Sequence, residues 1–331
     1  MNKFVLILLF AFTLCEVDIE SMVFKHFQRF ITKYNKKYDS MNEYLARYNV
    51  FRQNLFRLVD NGPQSYETGM SKFADMTAQE FAKTYLNLDF NAYALINTKA
   101  VHAKSKNAAP DAFDWRDKGV VSDVKDQGSC GSCWAFATVA NLEGLYALER
   151  GEVKTFSEQL LVDCDTEDSG CNGGLMELAF EWLKNNGGFM LESDYPYKNK
   201  KQTCQQDSSK FVDMKVTGYV KLGDSTEEFS PVDEDEIKEF LYETGPLAIA
   251  LNATPLQLYF GGIFDVPSWL CSSSGINHAV TLVGYGTDSK DYWIVKNSWG
   301  KSWGESGYFR IARGKGTCGV NCYITTATVE F

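Results

Sequence analysis

The chain has 331 residues, of which 44% are hydrophobic, enough for one or two packed domains and an accessory segment and too many for a predominantly disordered protein. Its formal net charge at pH 7 is −10, which would repel nucleic acids and anionic lipid surfaces. Nucleic-acid binding and attachment to an anionic membrane surface are therefore excluded.

The N-terminus has the pattern of a secretory signal peptide. Lys3 precedes an apolar run over residues 4–14, and Cys15, Glu16 and Asp18 follow it; we predict cleavage after Cys15. The alternative, a membrane anchor, needs about 20 apolar residues, which is roughly twice the length of this run. We therefore predict a signal peptide over residues 1–15 and entry into the secretory pathway, where disulfides are favoured.

Two amphipathic helices are predicted after the signal peptide. The apolar face of the first consists of Val23, Phe27, Phe30 and Tyr34, spaced four, three and four residues apart. Ser40 and Glu43 form the pattern of a capping box, which opens the second helix. Residues 87–109 are polar and lack a sustained period. We predict a helical part over residues 20–86 and a linker over residues 87–107, so that a separate domain occupies residues 108–331.

The composition changes from residue 111 onward, where all the tryptophans and all the cysteines except Cys15 are found. Buried helices are predicted over residues 132–148, 157–163 and 175–183. Strands rich in Val, Ile and aromatic residues are predicted over residues 279–285, 292–296 and 308–311. A helical half followed by a largely antiparallel β half implies an α+β fold of two subdomains with a cleft between them.

The cysteines are the main candidates for chemistry. Removing Cys15 with the signal peptide would leave eight cysteines, and counting alone does not exclude that all eight are paired. Cys133 lies in residues 127–134, which read Gln-Gly-Ser-Cys-Gly-Ser-Cys-Trp, at the point where a loop enters the helix predicted over residues 132–148. The positive end of a helix dipole stabilises a thiolate, and the thiolate is the nucleophilic form. We therefore predict that Cys133 is an activated nucleophile.

A thiolate nucleophile needs an acid that protonates the leaving amine, usually a histidine. His26 and His102 lie in the part that we expect to be removed, which leaves His278. A lone buried histidine is more often a packing residue, but His278 opens a predicted strand and shares its chain with an activated cysteine. Asn297 could orient the imidazole through a hydrogen bond, although an asparagine before a serine is more often a turn residue.

These segments resemble those of papain and the cathepsins. Residues 127–134 and Asn297-Ser298-Trp299-Gly300 look like the segments around the catalytic cysteine and asparagine of papain-like cysteine peptidases. Similar motifs span the chain: Asp114-Trp115-Arg116, Ser157-Glu158-Gln159, Cys171-Asn172-Gly173-Gly174, Gly245-Pro246, His278-Ala279-Val280 and Gly284-Tyr285-Gly286. The resemblance implies a papain-like fold, with a helical half and an antiparallel β-barrel-like half, and a cysteine endopeptidase that uses neither cofactor nor metal.

The resemblance also implies roles for individual residues. Cys133 and His278 would form the reacting pair, Asn297 would orient His278, and Trp299 would shield the bond between Asn297 and His278 from water. Gln127 and the Cys133 backbone N–H would stabilise the oxyanion. The remaining substrate-binding residues would be Gly173, Gly174, Leu175, Met176, Ala253, Ile276, Asn277, Ala279, Trp303 and Tyr323.

Two features of this substrate-binding set lead to expectations about the substrate. Gly173 and Gly174 would leave the backbone open to pair with an extended peptide, although a plain tight turn is the alternative. The main pocket would be lined by Leu175, Met176, Ala253, Ile276, Ala279 and Tyr323, none of which is charged. We therefore predict that the side chain one residue before the cleaved position, known as P2, is Leu, Val or aromatic.

Three disulfides follow from the same resemblance: Cys130–Cys171, Cys164–Cys204 and Cys271–Cys318. This pairing leaves Cys133 free, as catalysis requires. Cys322 departs from the family's usual pattern, and it is either a buried inert thiol or an alternative partner for Cys271.

The N-terminal helices resemble the family's inhibitory prosegment, in cathepsin F-like or L-like branches. Glu43, Arg47, Phe51 and Asn54 match one signature of that prosegment, and Gly69, Phe73 and Asp75 match a second. Residues 16–107 carry 13 Lys+Arg and 10 Asp+Glu, a net charge of +3, whereas residues 108–331 carry 19 and 33, a net charge of −14. We predict that this segment inhibits the enzyme, that acid releases it by protonating carboxylates, and that cleavage follows near Ala108.

Two other functional classes compete with a peptidase. A thiol–disulfide oxidoreductase built on Cys130 and Cys133 would have a short βαβ domain and no need of Gln127, His278 and Asn297. A non-enzymatic binding protein with the same fold would not need a complete triad. Zinc is disfavoured by the single histidine of the mature part and by the oxidising compartment.

The resemblance implies the partners and the place of action as well. We expect protein and peptide substrates, the protein's own propeptide and cystatin-type inhibitors as partners, and a monomeric enzyme. The expected place of action is a lysosome, another acidic vacuole or the extracellular space.

Overall fold

The structure is a computed structural model that describes residues 3–60, 66–90, 100–101, 108–223 and 230–331, without the side chains of residues 3–18, 60 and 100–101. Its helices are α1 Lys3–Tyr34, α2 Met41–Asp60, α3 Ala78–Tyr85, α4 Cys133–Arg150, α5 Glu158–Cys164, α6 Met176–Asn186 and α7 Glu234–Thr244. Its strands are β1 Tyr66–Thr68, β2 Ala100–Val101, β3 Phe113–Asp114, β4 Lys215–Leu222, β5 Leu247–Leu251, β6 Tyr259–Phe264, β7 His278–Thr287, β8 Asp291–Lys296, β9 Tyr308–Ala312 and β10 Ile324–Glu330. The helices and strands predicted between residues 132 and 311 are confirmed, with small shifts at their ends.

The strands form one sheet in the order β1-β6-β9-β8-β7-β5-β10-β4-β2, and β3 pairs with β7. Most neighbouring strands are antiparallel, but β6 with β9 and β2 with β4 are parallel. The last strand, β10, lies between β5 and β4, where it contacts α4 and α6. The sheet therefore extends across both halves of the molecule. The predicted order, helices first and strands second, does not indicate that strands also pack against the helical half.

Two hydrophobic cores lie side by side. One joins α4, α5 and α6 through residues such as Trp134, Leu160 and Phe180, and the other fills the β half around Trp293 and Phe309. The two cores correspond to the predicted helical and β subdomains. Residues 127–134 and the start of β7 lie where these two parts of the chain meet, because α4 packs directly on β7.

The N-terminal helices form a third, smaller core. Phe27 and Phe30 of α1 pack against Phe51 of α2, with ring centroids 5.1 Å (Phe27–Phe51) and 5.0 Å (Phe30–Phe51) apart. The predicted helical faces are therefore confirmed. The side chain of Glu43 accepts a hydrogen bond from the backbone of Asp39 rather than Ser40, while Ser40 Oγ accepts from the Glu43 N–H. The Glu43 side chain thus caps a backbone N–H four residues before it, not three as the capping-box pattern predicts.

Helix α3 was missed by the sequence analysis, although a signal for it exists. Thr77 and Glu80 form a complete capping box, with each side chain accepting from the other's backbone N–H. The box is the S/T-x-x-E pattern that marks helix starts, and the eight-residue helix is short enough to escape a search for periodicity.

Strands from the N-terminal part join the sheet of the remainder of the chain. Strand β1 pairs antiparallel with β6, and β2 pairs parallel with β4. The predicted signal cleavage after Cys15 falls inside α1, and it stays a prediction. In the portion of the chain that the structure describes, helices lack the combination of length and hydropathy needed to cross a bilayer. The interior of the predicted linker, residues 91–99 and 102–107, lies outside the described residues.

Candidate active site

Cys133 is the first residue of α4, and its side chain is fully buried. It is a free thiol, whereas Cys130 in the same loop is bonded to Cys171. The other disulfides join Cys164 to Cys204 and Cys271 to Cys318. These are the three pairs that the resemblance implies, and Cys322 is a buried free thiol.

His278 opens β7, and Asn297 follows β8, its antiparallel neighbour. The pairing of these strands brings His278 Nε2 to 2.8 Å from Asn297 Oδ1. The ring of Trp299 stacks on the imidazole, with centroids 4.7 Å apart and planes 28° apart. Because Nε2 is engaged with Asn297, Nδ1 is the ring nitrogen available to exchange a proton with a neighbour.

Cys133 and the start of β7 are in contact. The backbone N–H of Ala279, the residue after His278, lies close enough to the Cys133 sulfur to act to lower the pKa of that thiol. The helix start and the strand start therefore meet at the junction of the two subdomains. The structure brings the predicted nucleophile beside the segment that carries the predicted proton-transfer partner.

Gln127 is fully buried and held at both ends of its amide. Its Oε1 accepts from Ser298 Oγ at 2.7 Å, and its Nε2 donates to Cys130 O at 3.0 Å. The Tyr85 carbonyl oxygen lies 3.5 Å from the same Nε2. The Gln127 amide is therefore fixed so that its Nε2 faces the Tyr85 carbonyl oxygen of the prosegment.

The cleft is occupied by the protein's own chain at residues 85–90. Leu88 N donates to Asn277 O at 3.3 Å on one side, and Asp89 N donates to Gly174 O at 3.4 Å on the other. The backbone N–H of Asn87 lies close enough to the Cys133 sulfur to act to lower the pKa of that thiol. The first residues of the predicted linker, 87–90, are therefore not a free connection but cover Cys133, the predicted nucleophile.

Gly173 is needed for this close approach. Its φ of 123° is a conformation that L side chains rarely adopt, and a Cβ placed on it would lie 2.5 Å from the Asn87 carbonyl oxygen. Gly174 forms a parallel bridge with Leu88. The extended segment thus pairs with the backbone of Gly174 and passes close to Gly173, where a side chain would leave no room.

Burial shifts the pKa values of Cys133 and His278, the predicted reacting pair, away from their ordinary values. Burial raises the pKa of the Cys133 thiol, and the hydrogen bonds from backbone N–H groups, including that of Trp134 in the first turn of α4, reduce this rise without reversing it. Burial also lowers the pKa of His278 to about 4, against the opposing effects of Asn297 and the Tyr85 backbone. In this precursor form, both groups are therefore neutral over most of the pH range. Burial therefore favours the neutral thiol of Cys133 over the predicted thiolate in the precursor.

Five of the six residues expected to line the main pocket lie in one hydrophobic cluster: Leu175, Met176, Ile276, Ala279 and Tyr323. Ala253 lies in the neighbouring cluster and connects to the site through its N–H, which donates to Asn277 Oδ1 at 3.0 Å. Trp303 is fully buried behind Trp299, with ring centroids 4.7 Å apart.

The prosegment is anchored on the same tryptophan that covers His278. Phe73, Phe81 and Tyr85 meet the Trp299 ring edge-on at centroid distances of 5.3, 5.2 and 6.4 Å, respectively. Gln257 Nε2 donates to the carbonyls of Phe73 and Met76. Trp299 therefore contacts both the imidazole, on which it stacks, and the prosegment rings, which it meets nearly at right angles.

A buried charged cluster beneath the site was missed by the sequence analysis. Lys125 Nζ lies 2.7 Å from Glu143 Oε1 and 2.6 Å from Glu158 Oε1, and Lys296 Nζ donates to Ser122 Oγ at 2.7 Å. Burial raises the pKa of Glu158 to about 7 and lowers that of Lys296 to about 8. These residues line a cavity of about 20 Å³ together with Asn297 and Ser298. No local sequence pattern marks them, because they come together only in the tertiary structure.

Comparison with known proteins gives two family matches. Residues 109–328 match the papain family cysteine protease, and residues 27–81 match the cathepsin propeptide inhibitor domain. Cysteine proteinase 15A of Pisum sativum is 41% identical over 322 residues, covering 91% of this chain and 85% of that protein. Cathepsin F of Drosophila melanogaster is 42% identical over 314 residues, covering 92% of this chain and 50% of that protein.

Solved structures of precursors are similar over almost the whole chain. Digestive procathepsin L 3 from the larval midgut of Tenebrio molitor has a TM-score of 0.81 and 35% identity, covering 92% of this chain and 99% of that one. The recombinant stem bromelain precursor has a TM-score of 0.82 and 34% identity, covering 93% of this chain and 99% of that one.

Proposed function

Because the chain belongs to the papain family of cysteine peptidases and carries a cathepsin-type propeptide inhibitor domain, we propose that this endopeptidase zymogen cleaves peptide bonds through Cys133 and His278. The observation that carries the proposal is a free thiol at the start of α4, close enough to the backbone N–H of the residue after His278 for that group to act on the pKa of the thiol. Once the prosegment leaves, water and the N-terminus of α4 would favour a thiolate beside an imidazolium.

In the proposed reaction, the Cys133 thiolate attacks the substrate carbonyl and forms a tetrahedral intermediate. Gln127 Nε2 and the Cys133 N–H would stabilise the oxyanion, since the Tyr85 carbonyl already lies near the first of these donors. The imidazolium of His278 would protonate the leaving amine, and Asn297 would keep the ring in position. Water would then hydrolyse the acyl-enzyme, with His278 as the base.

Labelling with an epoxide inhibitor tests this proposal. We expect the mature enzyme to take up one epoxide per molecule, with the label on Cys133 and no hydrolysis afterwards. Cys322→Ser is the matched control and should be labelled normally, because Cys322 is a buried thiol whose pKa is raised to about 11 by burial. A label that persists in Cys133→Ala would refute the assignment, and thiol–disulfide exchange without peptide hydrolysis would favour an oxidoreductase.

We also propose that the main pocket prefers apolar P2 side chains. The pocket cluster is apolar, and the Lys221 ammonium lies 5.3 Å from the Tyr323 ring centroid, which would disfavour a cationic side chain in the pocket. We expect a fluorogenic Leu-Arg dipeptide to be cleaved at least about tenfold faster than Arg-Arg, because an apolar pocket favours leucine over arginine at P2. The two substrates share the residue at the cleaved bond, so the comparison isolates the effect of P2. Faster cleavage of Arg-Arg would contradict the assignment of the pocket.

We also propose that acid activates the precursor by weakening ion pairs of the prosegment. Inside the prosegment, Asp75 pairs with Lys36 and Glu80 with Arg47, while Lys72 pairs with Asp126 across the boundary to the remainder of the chain. The net charges of residues 16–107 and 108–331, +3 and −14, predict attraction between these two parts of the chain. These described pairs instead suggest that acid loosens the prosegment itself.

We expect the precursor to mature faster at about pH 4 than at about pH 7.5. Partial burial acts to raise the pKa of Glu80, but hydrogen bonds from Thr77 and Arg47 outweigh it and leave the pKa below the ordinary 4.5. A carboxylate with a lowered pKa adds stability above its ordinary value and loses it as the pH falls through the lowered one. The prosegment would therefore weaken below about pH 4.5.

The test follows the appearance of mature enzyme on gels at both pH values. Glu80→Gln should mature several times faster than the unmodified precursor near neutral pH, whereas Glu67→Gln, which changes an exposed carboxylate on β1, should not. Equal rates at the two pH values would refute acid activation. We place the cut near Ala108, which is exposed.

The remaining elements concern location and partners. We propose that residues 1–15 direct the chain into the secretory pathway and that the enzyme works as a monomer in a lysosome, an acidic vacuole or outside the cell. Cystatin-type inhibitors would compete for the cleft that residues 85–90 fill in the precursor.

A further inference from the structure

Tyr323 belongs to the same hydrophobic cluster as Leu175, Met176, Ile276 and Ala279, and it is a buried residue that directly precedes β10. The ring of Phe90 meets the Tyr323 ring edge to face, with centroids 5.5 Å apart. Phe90 packs against the same cluster as the pocket residues, at the end of the segment that lies extended in the cleft. The prosegment therefore places a side chain against the tyrosine, as a bound peptide would.

The Tyr323 hydroxyl is held from behind. It donates a hydrogen bond to Oε2 of Glu177, which lies in the first turn of α6 directly after Met176 of the pocket. Glu177 is 1% exposed, and its Oε1 has no hydrogen-bond partner among the described atoms. A buried carboxyl in this state is costly to keep, so the bond to Tyr323 is a strong restraint on the tyrosine ring.

The charges around this pair keep the restraint in place over a wide pH range. Burial raises the pKa of Glu177 to about 7, while the tyrosine hydroxyl and the positive charge of Lys221 act in the opposite direction. An ionised carboxylate accepts the tyrosine's hydrogen bond through either oxygen, and a protonated carboxyl still accepts it through its carbonyl oxygen. The Tyr323 ring is therefore fixed in acid and near neutrality alike.

Building on the proposed function, we propose that Glu177 is a positioning residue for substrate specificity, because it holds the Tyr323 ring as the floor of the P2 pocket. A fixed floor limits how long a P2 side chain can be. If the acceptor is removed, the hydroxyl loses this hydrogen bond and the ring is held less firmly, so that the pocket can deepen. Glu177 would then act on the choice of substrate without touching it.

The test compares the P2 selectivity of matched variants, produced as full precursors and matured. Dipeptide substrates with Val, Leu or Phe at P2 share arginine at the cleaved bond, and kcat and KM are measured for each. We expect Glu177→Leu and Tyr323→Phe each to raise the Phe-to-Leu ratio of kcat/KM by about threefold to tenfold, mainly through KM. Glu177→Gln keeps an acceptor oxygen and should stay within about twofold of the unmodified ratio.

A double variant and a matched control complete the design. Because the two residues act through one hydrogen bond, Glu177→Leu combined with Tyr323→Phe should change the ratio no more than either substitution alone. Glu181→Leu, which removes an exposed carboxylate one turn along α6, should leave the ratio unchanged. Active thiols are counted with the epoxide, so that differences in folded fraction do not affect the ratio.

Each outcome bears on a different claim. An unchanged ratio in Tyr323→Phe, or additive effects in the double variant, would overturn the role of Glu177 while leaving the peptidase assignment intact. An unmodified enzyme that binds no epoxide and cleaves none of the dipeptides would instead overturn the proposed function. If Glu177→Leu does not fold, Tyr323→Phe and Glu177→Gln still decide the question.

Discussion

Replacing His278 with alanine is expected to lower kcat by about 10⁴-fold or more, because the leaving amine would lose its proton donor and the thiolate its counter-ion. His278 is the one histidine within residues 108–331. Its neighbours Asn297 and Trp299 carry no group that titrates in the range where the reaction would run. A nearby side chain therefore could not take over the proton transfer.

The measurement is single-turnover hydrolysis of a Leu-Arg substrate by mature enzyme, with thermal unfolding as a check on the fold. Asn297→Ala should reduce kcat less than His278→Ala, since it removes the 2.8 Å bond that orients the ring but leaves the proton donor. His278→Ala should also slow alkylation of Cys133, because the thiol would return to its ordinary pKa. A kcat for His278→Ala within about tenfold of the unmodified enzyme would rule out its assigned role.

Replacing Lys125 with methionine is expected to lower the free energy of unfolding by about 3–5 kcal/mol. Its ammonium lies between the carboxylates of Glu143 and Glu158, whose side chains are 0% and 2% exposed. Without Lys125, two buried carboxylates would remain close together without their ion-pair partner, although Glu143 would keep the hydrogen bonds from Ser122 Oγ and the Phe156 N–H. The Lys296 side chain is bonded to Ser122 and not to either carboxylate.

The loss should depend on pH in a defined direction. Burial raises the pKa of Glu158 to about 7 from the ordinary 4.5. An acid whose pKa is raised by folding binds more protons in the folded state, so its effect on stability becomes less favourable as the pH rises through that window. Lys125→Met should strengthen this effect and therefore cost less at about pH 5 than at about pH 8.

Denaturant unfolding of thiol-blocked mature enzyme at both pH values provides the measurement. Lys184→Met is the matched control, because Lys184 forms an exposed pair with Glu181 and should cost about 0.5 kcal/mol or less. Equal losses for Lys125→Met and Lys184→Met would show that the buried cluster does not stabilise the fold. A loss independent of pH would show that the pKa of Glu158 is not raised as described.

The residues proposed for chemistry were accessible from the sequence because their types are scarce and their local context is informative. Cys133 follows a loop and begins a helix, and His278 is the histidine that remains beyond the prosegment. The helices around them were also predictable, since the apolar faces repeat with the helical period. Strand β5, a fully buried run of five residues, was not identified, because a short buried run does not distinguish a strand from a helix.

The residues that surround the site depend on contacts between distant parts of the chain. Leu88 and Phe90 lie in a stretch without periodicity, and only the pairing of Leu88 with Gly174 and the packing of Phe90 against Tyr323 reveal their place in the cleft. Glu177 follows the pocket residue Met176 in sequence, but its partner Tyr323 lies 146 residues away. Hydrogen bonds of this kind leave no local pattern.

The sequence by itself determined the helix that presents Cys133, the strand that begins at His278 and the amphipathic faces of the prosegment, because each depends on neighbours within a few residues. The pKa values of the buried ionisable groups in and beneath the site depend on the tertiary structure. Burial under residues 85–90 keeps Cys133 and His278 neutral, and burial beneath the site shifts Glu158 and Lys296. Charge depends on the water and the partners around a group, and the folded chain determines both.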